Sequence, residues 1–379
     1  MLSIQGHYDY LIVGAGLYGA ALARELHERG RRVLVVERRS HVGGNAHTEK
    51  RDGILVHVYG AHIFHTDDEK VWRFVNRFAS FSSYRHKVKA LSAGRYYSLP
   101  FNLNTFRDVL GTDDPEEIRA IIRRQAGEAG LAGREPANLQ EQAVQLVGTD
   151  VYETLIKGYT QKQWGRDCKD LSAEIIRRLP VRWNWNDDYF NDRYQGIPVE
   201  GYTVMVQNML EGIDVLTGTD FLEDDNRQRL EDAADTVVFT GQIDEYYRYC
   251  FGPLAYRGLR FETEKLEDRE FFQEGAVVNY ADPDVPWTRI IEHKQFAAAD
   301  QADECPGKTT IITREYPADW NKGDDAFYPV GDDESMARYR KYLQLSAGEK
   351  VRFGGRLGAY RYYDMDDVIA AALQEAEKL

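Results

Sequence analysis

The stretch Tyr8-Asp9-Tyr10-Leu11-Ile12-Val13-Gly14-Ala15-Gly16-Leu17-Tyr18-Gly19 decides the fold. Tyr8 to Val13 has strand composition, and the glycines follow at once as a tight turn. Ala20 to Arg29 has helical spacing that Gly30 ends, and Arg32 to Glu37 reads as a second strand. This is one βαβ unit of a parallel sheet. Gly14, Gly16 and Gly19 let backbone amides approach a pyrophosphate at the helix N-terminus, and Glu37 ends the next strand where it can hold a ribose hydroxyl.

Working outward, Gly43-Gly44-Asn45 comes six residues after Glu37. A second glycine pair in that place is similar to flavoproteins of the glutathione-reductase type, and favours FAD over NAD. Asp235 to Gly241 resembles the third nucleotide-binding strand of the same class. Near the end, Gly355-Arg356 follows a strand, and Asp364-Met365-Asp366-Asp367-Val368 opens a helix with Asp364 as its expected N-cap. In this resemblance the helix N-terminus faces the flavin pyrimidine edge, where the dipole stabilises negative charge.

The 379 residues carry 48 Lys and Arg against 62 Asp and Glu, a formal charge of −14. Such a field repels nucleic acid and anionic membrane, so an anionic substrate needs a local nest of arginines. Tyrosine is abundant, 24 residues, which suits a site that both stacks rings and donates hydrogen bonds. The cysteines, Cys168, Cys250 and Cys305, are odd in number and far apart, as in a reducing compartment. Met1 to His7 lacks the features of a signal peptide, and no run approaches a membrane span. A cytoplasmic protein is expected.

The middle of the chain changes character. From Thr105 to Leu179 the pattern is helical, with N-terminal signals at Asp114-Pro115-Glu116-Glu117 and Asn138-Leu139-Gln140-Glu141. Lys87 to Leu99 reads as a hairpin, and Val277–Asn279, Thr288–Glu292 and Thr309–Tyr316 as antiparallel strands. The expectation is an α/β protein with three parts. A discontinuous Rossmann-like FAD-binding domain takes 1–85, 205–248 and 331–379. A helical-bundle insert takes 104–180, and an antiparallel β-sheet domain takes 86–103, 181–204 and 249–330.

His57, His62 and His65 fall within nine residues, but no carboxylate or cysteine completes a metal set, so a wall beside the flavin is the preferred reading. Lys157-Gly158-Tyr159-Thr160-Gln161-Lys162-Gln163-Trp164-Gly165 carries a Tyr and a Trp that either stack a nucleobase or pack a helix on its neighbours. The loop from Leu179-Pro180 to Phe190, with Arg182, Trp183, Trp185 and Tyr189, is rich in groups that are costly to expose.

Together these segments identify a family resemblance. GAGLYGA, VGGN, HIFHT, KGYTQKQWG, RRLPVRWNWNDDYF, WTRIIEH, FYPV and GRLGAYRYYDMD occur in order, and the chain resembles bacterial UDP-galactopyranose mutases along essentially its whole length. Two positions depart from the family: Ala61 stands where Pro is frequent, and Leu155-Ile156 where some members carry Phe.

The resemblance implies an isomerase that interconverts UDP-galactopyranose and UDP-galactofuranose for cell-surface glycans. N5 of reduced FAD would be the nucleophile at the anomeric carbon, with NAD(P)H or another reductant needed only to prime it. It implies that Arg178 and Arg289 bind the diphosphate, with hydroxyl donors from Tyr189, Tyr328 and Tyr362. Tyr159 would stack uracil and Trp164 line the sugar path, with Asn279, Phe101 and His86 around the nucleotide. His65 would adjoin the flavin, and Asp364 the sugar. The implied cofactor set is Gly14, Ala15, Gly16, Gly19, Glu37, Arg38, Gly43, Gly44, Asn45, His62, Phe221, Arg356 and Met365. A homodimer or higher homo-oligomer is also implied, with no nucleic-acid partner and no membrane insertion.

Overall fold

The computed structural model describes residues 6–177, 179–297 and 307–379. Its first sheet is wholly parallel, in the order Val351–Phe353, Ala234–Phe239, Tyr8–Val13, Val33–Val36, Asp214–Leu216. The Tyr8–Val13 strand is central because both its faces are covered, and Leu11 and Ile12 are fully buried. Its successor in sequence, Val33–Val36, lies on one side and Ala234–Phe239 on the other. The chain order therefore reverses at the carboxyl end of Tyr8–Val13, where open α/β sheets form their ligand crevice.

The helix after the glycine turn begins at Leu17, three residues earlier than its composition suggests, and runs to Glu28. Its Leu22 and Leu26 share a core with Ile369 and Ala372 of the terminal helix Met365–Lys378. That packing brings the two ends of the chain to the same edge of the crevice.

The second sheet has the order Tyr328–Pro329, Tyr256–Glu267, Thr309–Asp319, Arg289–Glu292, Val277–Tyr280, Val88–Ser92, Arg95–Leu99. It is antiparallel except at one seam, where Val277–Tyr280 pairs parallel with Val88–Ser92. The sheet is thus mixed: the hairpin of residues 88–99 joins strands that arrive almost two hundred residues later. Alternation within a strand reveals which face is buried but not the direction of its neighbour.

The helical region forms its own core around Phe106, Ile118, Leu139, Val144 and Tyr152. Asp114 accepts hydrogen bonds from the Glu116 and Glu117 amides, as its position predicts. At the next helix Asn138 accepts from the Glu141 amide, but the Glu141 carboxylate reaches back to the Ala137 amide, one residue beyond the N-cap amide that a true capping box uses. A π-helical turn over Tyr152–Ile156 precedes the helix Lys157–Trp164. Its extra residue per turn resets which side of the following helix meets the second sheet. Among the described residues no helix is long and apolar enough to cross a membrane.

Candidate functional site

A cleft opens at the carboxyl end of the parallel sheet. Gly14, Gly16, Gly19, Glu37, Arg38, Gly43, Gly44, Asn45, His62, Phe221, Arg356 and Met365 all line it, so the structure brings these expected cofactor residues together. Backbone crowding explains the glycines. A Cβ on Gly14 (φ +108°) would lie 2.0 Å from Thr240 Oγ1, and one on Gly19 would lie 2.0 Å from the Gly14 carbonyl oxygen. A Cβ on Gly44 would lie 3.0 Å from Gly16 Cα, so the two glycine turns face each other with nothing but backbone between them. Exposed amides and the helix N-terminus give this cradle the chemistry of a dinucleotide pyrophosphate site.

Glu37 ties the cradle together. One carboxylate oxygen accepts from the Ala15 amide at 2.8 Å and the other from the Arg39 amide at 2.9 Å. Ala15 is itself buried, and it acts through that amide. Phe221 is buried against Phe239 and Tyr246 and closes the floor. His62 donates from Nδ1 to the Gly60 carbonyl at 2.8 Å, so its Nε2 is a free acceptor. Burial holds that ring neutral, with its pKa brought down to about 4.

Beside the cradle lies a cluster of arginine and tyrosine side chains. Arg289 is the cross-strand partner of both Asn279 and Glu315. Its Nε donates to Glu315 Oε1 at 2.8 Å. Burial works against the guanidinium charge, but the Glu315 carboxylate beside it holds Arg289 protonated well above the ordinary range, and Tyr159 and Tyr328 lie nearby. Tyr328 and Tyr362 stack at 5.7 Å, with the Arg356 guanidinium 5.5 Å from each ring. Burial raises the Tyr159 phenol to about 12, so it remains a hydroxyl donor at neutral pH. Tyr362 and Tyr189 are exposed.

His86 is buried, with its Nδ1 3.1 Å from the Tyr84 hydroxyl and its ring against Tyr189 and Phe190. His65 stacks on Phe190 at 3.7 Å and pairs through Nδ1 with Asp192 at 3.2 Å. Asp366, in the first turn of the terminal helix, lies close to Thr66 and His65, and burial lifts its carboxyl above the usual range.

Other expected residues fall elsewhere. Phe101 is buried in the helical core, and Trp164 packs against the same core, well round the helix from Tyr159. The structure therefore does not bring Tyr159 and Trp164 to one surface. Asp364 occupies the N-cap position, yet its side chain accepts no capping bond; only its carbonyl enters the helix ladder, through the Val368 amide. The capping reading is corrected accordingly. Arg178 lies outside the described residues. The residue that sequence reading missed is Glu315, whose side chain is only 2% exposed. Its signal was an acid at an inward position of the Thr309–Tyr316 run, opposite an arginine that had itself been singled out.

The family model described as UDP-galactopyranose mutase matches residues 154–362, over half of the chain, and a model of an NAD(P)-binding Rossmann-like domain matches residues 12–78. A probable UDP-galactopyranose mutase of Klebsiella pneumoniae is 41% identical over 376 residues, covering 98% of this chain and 94% of that protein. The chain belongs to the UDP-galactopyranose mutase family. A dTDP-fucopyranose mutase of Escherichia coli is also similar, 39% identical and covering 97% of both chains. The fold matches the crystal structure of a reduced UDP-galactopyranose mutase with a TM-score of 0.74 at 13% identity, over 98% of this chain and 95% of that one. This family member is therefore an isomerase-class enzyme with an α/β, Rossmann-containing fold.

Proposed function

We propose that this enzyme interconverts UDP-galactopyranose and UDP-galactofuranose with reduced FAD, and so supplies galactofuranose to cell-surface glycans. The observation that carries the reading is the Arg289–Glu315 pair with Tyr159, Tyr328 and Tyr362 around it, next to a glycine cradle that only backbone can fill. An oxidoreductase acting on a neutral amine has no use for a diphosphate cation there.

The glycines at 14, 16, 19, 43 and 44 would hold the FAD pyrophosphate, Glu37 the adenosine ribose, and Met365 and the helix behind it the flavin. When reduced, the flavin supplies a nucleophilic N5 at the anomeric carbon of the sugar. Arg289, together with Arg178, would bind the diphosphate both as it leaves and as it returns, because a guanidinium keeps its charge and its fork matches phosphate oxygens. Tyr328 and Tyr362 would add hydroxyl hydrogen bonds. Tyr159 would stack the uracil, while His62 presents an unprotonated nitrogen towards the cradle.

The test is turnover of UDP-galactofuranose by anaerobic, dithionite-reduced protein, with dTDP-fucofuranose as the competing substrate. Many products per reduced flavin are expected, and near-zero activity when oxidised. Consumption of one reductant per product would replace the mutase reading with a reductase. Preference for the dTDP sugar would keep the chemistry and move the substrate.

A further inference from the structure

The helix that carries Tyr159 is fastened to the strands that carry Asn279 and Arg289 by groups that the proposed chemistry does not use. Val277–Tyr280 and Arg289–Glu292 are joined by a turn over residues 281–288. Lys162 reaches into the throat of that turn. Its ammonium donates to the Tyr280 carbonyl at 2.7 Å, the Asp282 carbonyl at 2.8 Å and the Trp287 carbonyl at 3.1 Å. All three N–H donors are used, and they bind both arms of the turn.

One turn before Lys162 on the same helical face, Gly158 meets the same turn. A Cβ there would sit 2.1 Å from the Ala281 carbonyl oxygen, so the helix backbone rests directly on the loop. Beyond Lys162, the Gln163 carbonyl accepts from Arg257 at 2.6 Å. Asp282 in turn accepts from Ser92 Oγ at 3.2 Å and the Ala93 amide at 3.0 Å, which fixes the turn to the neighbouring hairpin. An ammonium bonded only to neutral carbonyls is an expensive way to hold a surface turn. Burial accordingly brings the Lys162 pKa down to about 8.

We infer that Lys162 is a positioning residue that clamps the 281–288 turn to the Tyr159 helix and thereby sets the distance between the Tyr159 ring and the Arg289 guanidinium. The inference rests on the proposal that these two groups bind the base and the diphosphate of one nucleotide. A fixed spacing between them selects a nucleoside diphosphate over a free base or a free diphosphate. Lysine suits the position because a compact ammonium can point three donors at converging carbonyls, whereas a planar guanidinium cannot.

The experiment measures UDP binding to the FAD-loaded protein by calorimetry, for the wild type, Lys162→Met, Lys162→Arg and Gly158→Ala, each also in a Tyr159→Ala background. Lys162→Met is expected to raise the UDP Kd about tenfold, and less than threefold where Tyr159 is already absent, the non-additivity of residues that act as a unit. Gly158→Ala and Lys162→Arg should give the same pattern with smaller factors. They carry the test if Lys162→Met does not fold. Inorganic pyrophosphate affinity should stay unchanged in all of them. Equal losses with and without Tyr159, or no loss, would overturn the clamp while leaving the nucleotide site standing. A wild-type protein that binds pyrophosphate but not UDP would overturn the nucleotide reading, and the clamp with it.

Discussion

Arg289 and Glu315 face each other on adjacent antiparallel strands, the guanidinium Nε donating to a carboxylate that is almost wholly buried. The other Glu315 oxygen lies towards Gly60, where an added Cβ would come within 3.3 Å of it. The carboxylate thus links the cationic cluster to the backbone that begins the His62 turn. Among the described residues only the Nε side of the Arg289 fork is bonded, so its remaining N–H groups are available to an anion.

Breaking that pair should have two separable effects. Glu315→Ala leaves a partly buried guanidinium without its partner, a loss typically of about 3–5 kcal/mol for buried pairs. A fall in melting temperature of about four to six degrees is expected by calorimetry, whereas Glu315→Gln, which keeps a hydrogen bond, should lose less. An unchanged melt in Glu315→Ala would show the pair to be energetically idle.

Removing the arginine should strike the reaction as well as strand the buried Glu315 carboxylate. Truncating one partner of an enclosed charge pair costs about 2–5 kcal/mol. Arg289→Ala is therefore expected to cut kcat/KM by at least thirtyfold while the flavin absorbance per protein stays constant. Arg289→Lys should restore little, because a point charge does not reproduce the fork. Rates like the wild type in both variants would remove Arg289 from the site.

The glycine cradle makes a sharper prediction. In Gly19→Ala the new methyl meets the Gly14 carbonyl, a backbone atom that cannot step aside. The first turn must open, and the protein should purify folded by circular dichroism but with less than a tenth of the bound flavin. Full yellow colour at wild-type stoichiometry would refute the close approach.

Three buried histidines, His57, His86 and His293, and the half-buried His62 set an acid limit. Burial lowers His86 and His293 to about 3 and His62 to about 4, and lowers His57 well below its ordinary value. The unfolded chain takes up these protons near pH 6.5, the native chain not until far lower. The stability contributed by the neutral rings is complete above pH 6.5 and drains away as pH falls towards 4, at up to about 1.4 kcal/mol per pH unit for each ring. Melting temperatures at pH 6.5, 6.0, 5.5 and 5.0 should fall steeply, and His86→Gln should reduce the slope. A flat profile over that range would contradict burial of uncharged rings.

The cofactor unit was legible in the sequence because its constraints are local. A strand, Gly14-Ala15-Gly16, a helix and Glu37 specify one another within thirty residues, since glycine is demanded wherever backbone approaches backbone. Arg289 was legible as a charge in a short aromatic-flanked motif. Three things were decided only by tertiary structure. The parallel seam between residues 88–92 and 277–280 depends on a pairing that no periodicity encodes. Glu315 became Arg289's partner because two strands far from the cradle in sequence align in register. Which face of the Lys157–Trp164 helix meets the sheet was settled by packing after a π-helical turn, and Gly158 and Lys162 took that face. The reason is common to all three: local sequence fixes which groups a segment carries, whereas partners distant in sequence are chosen by the packing of whole elements, which no single segment specifies.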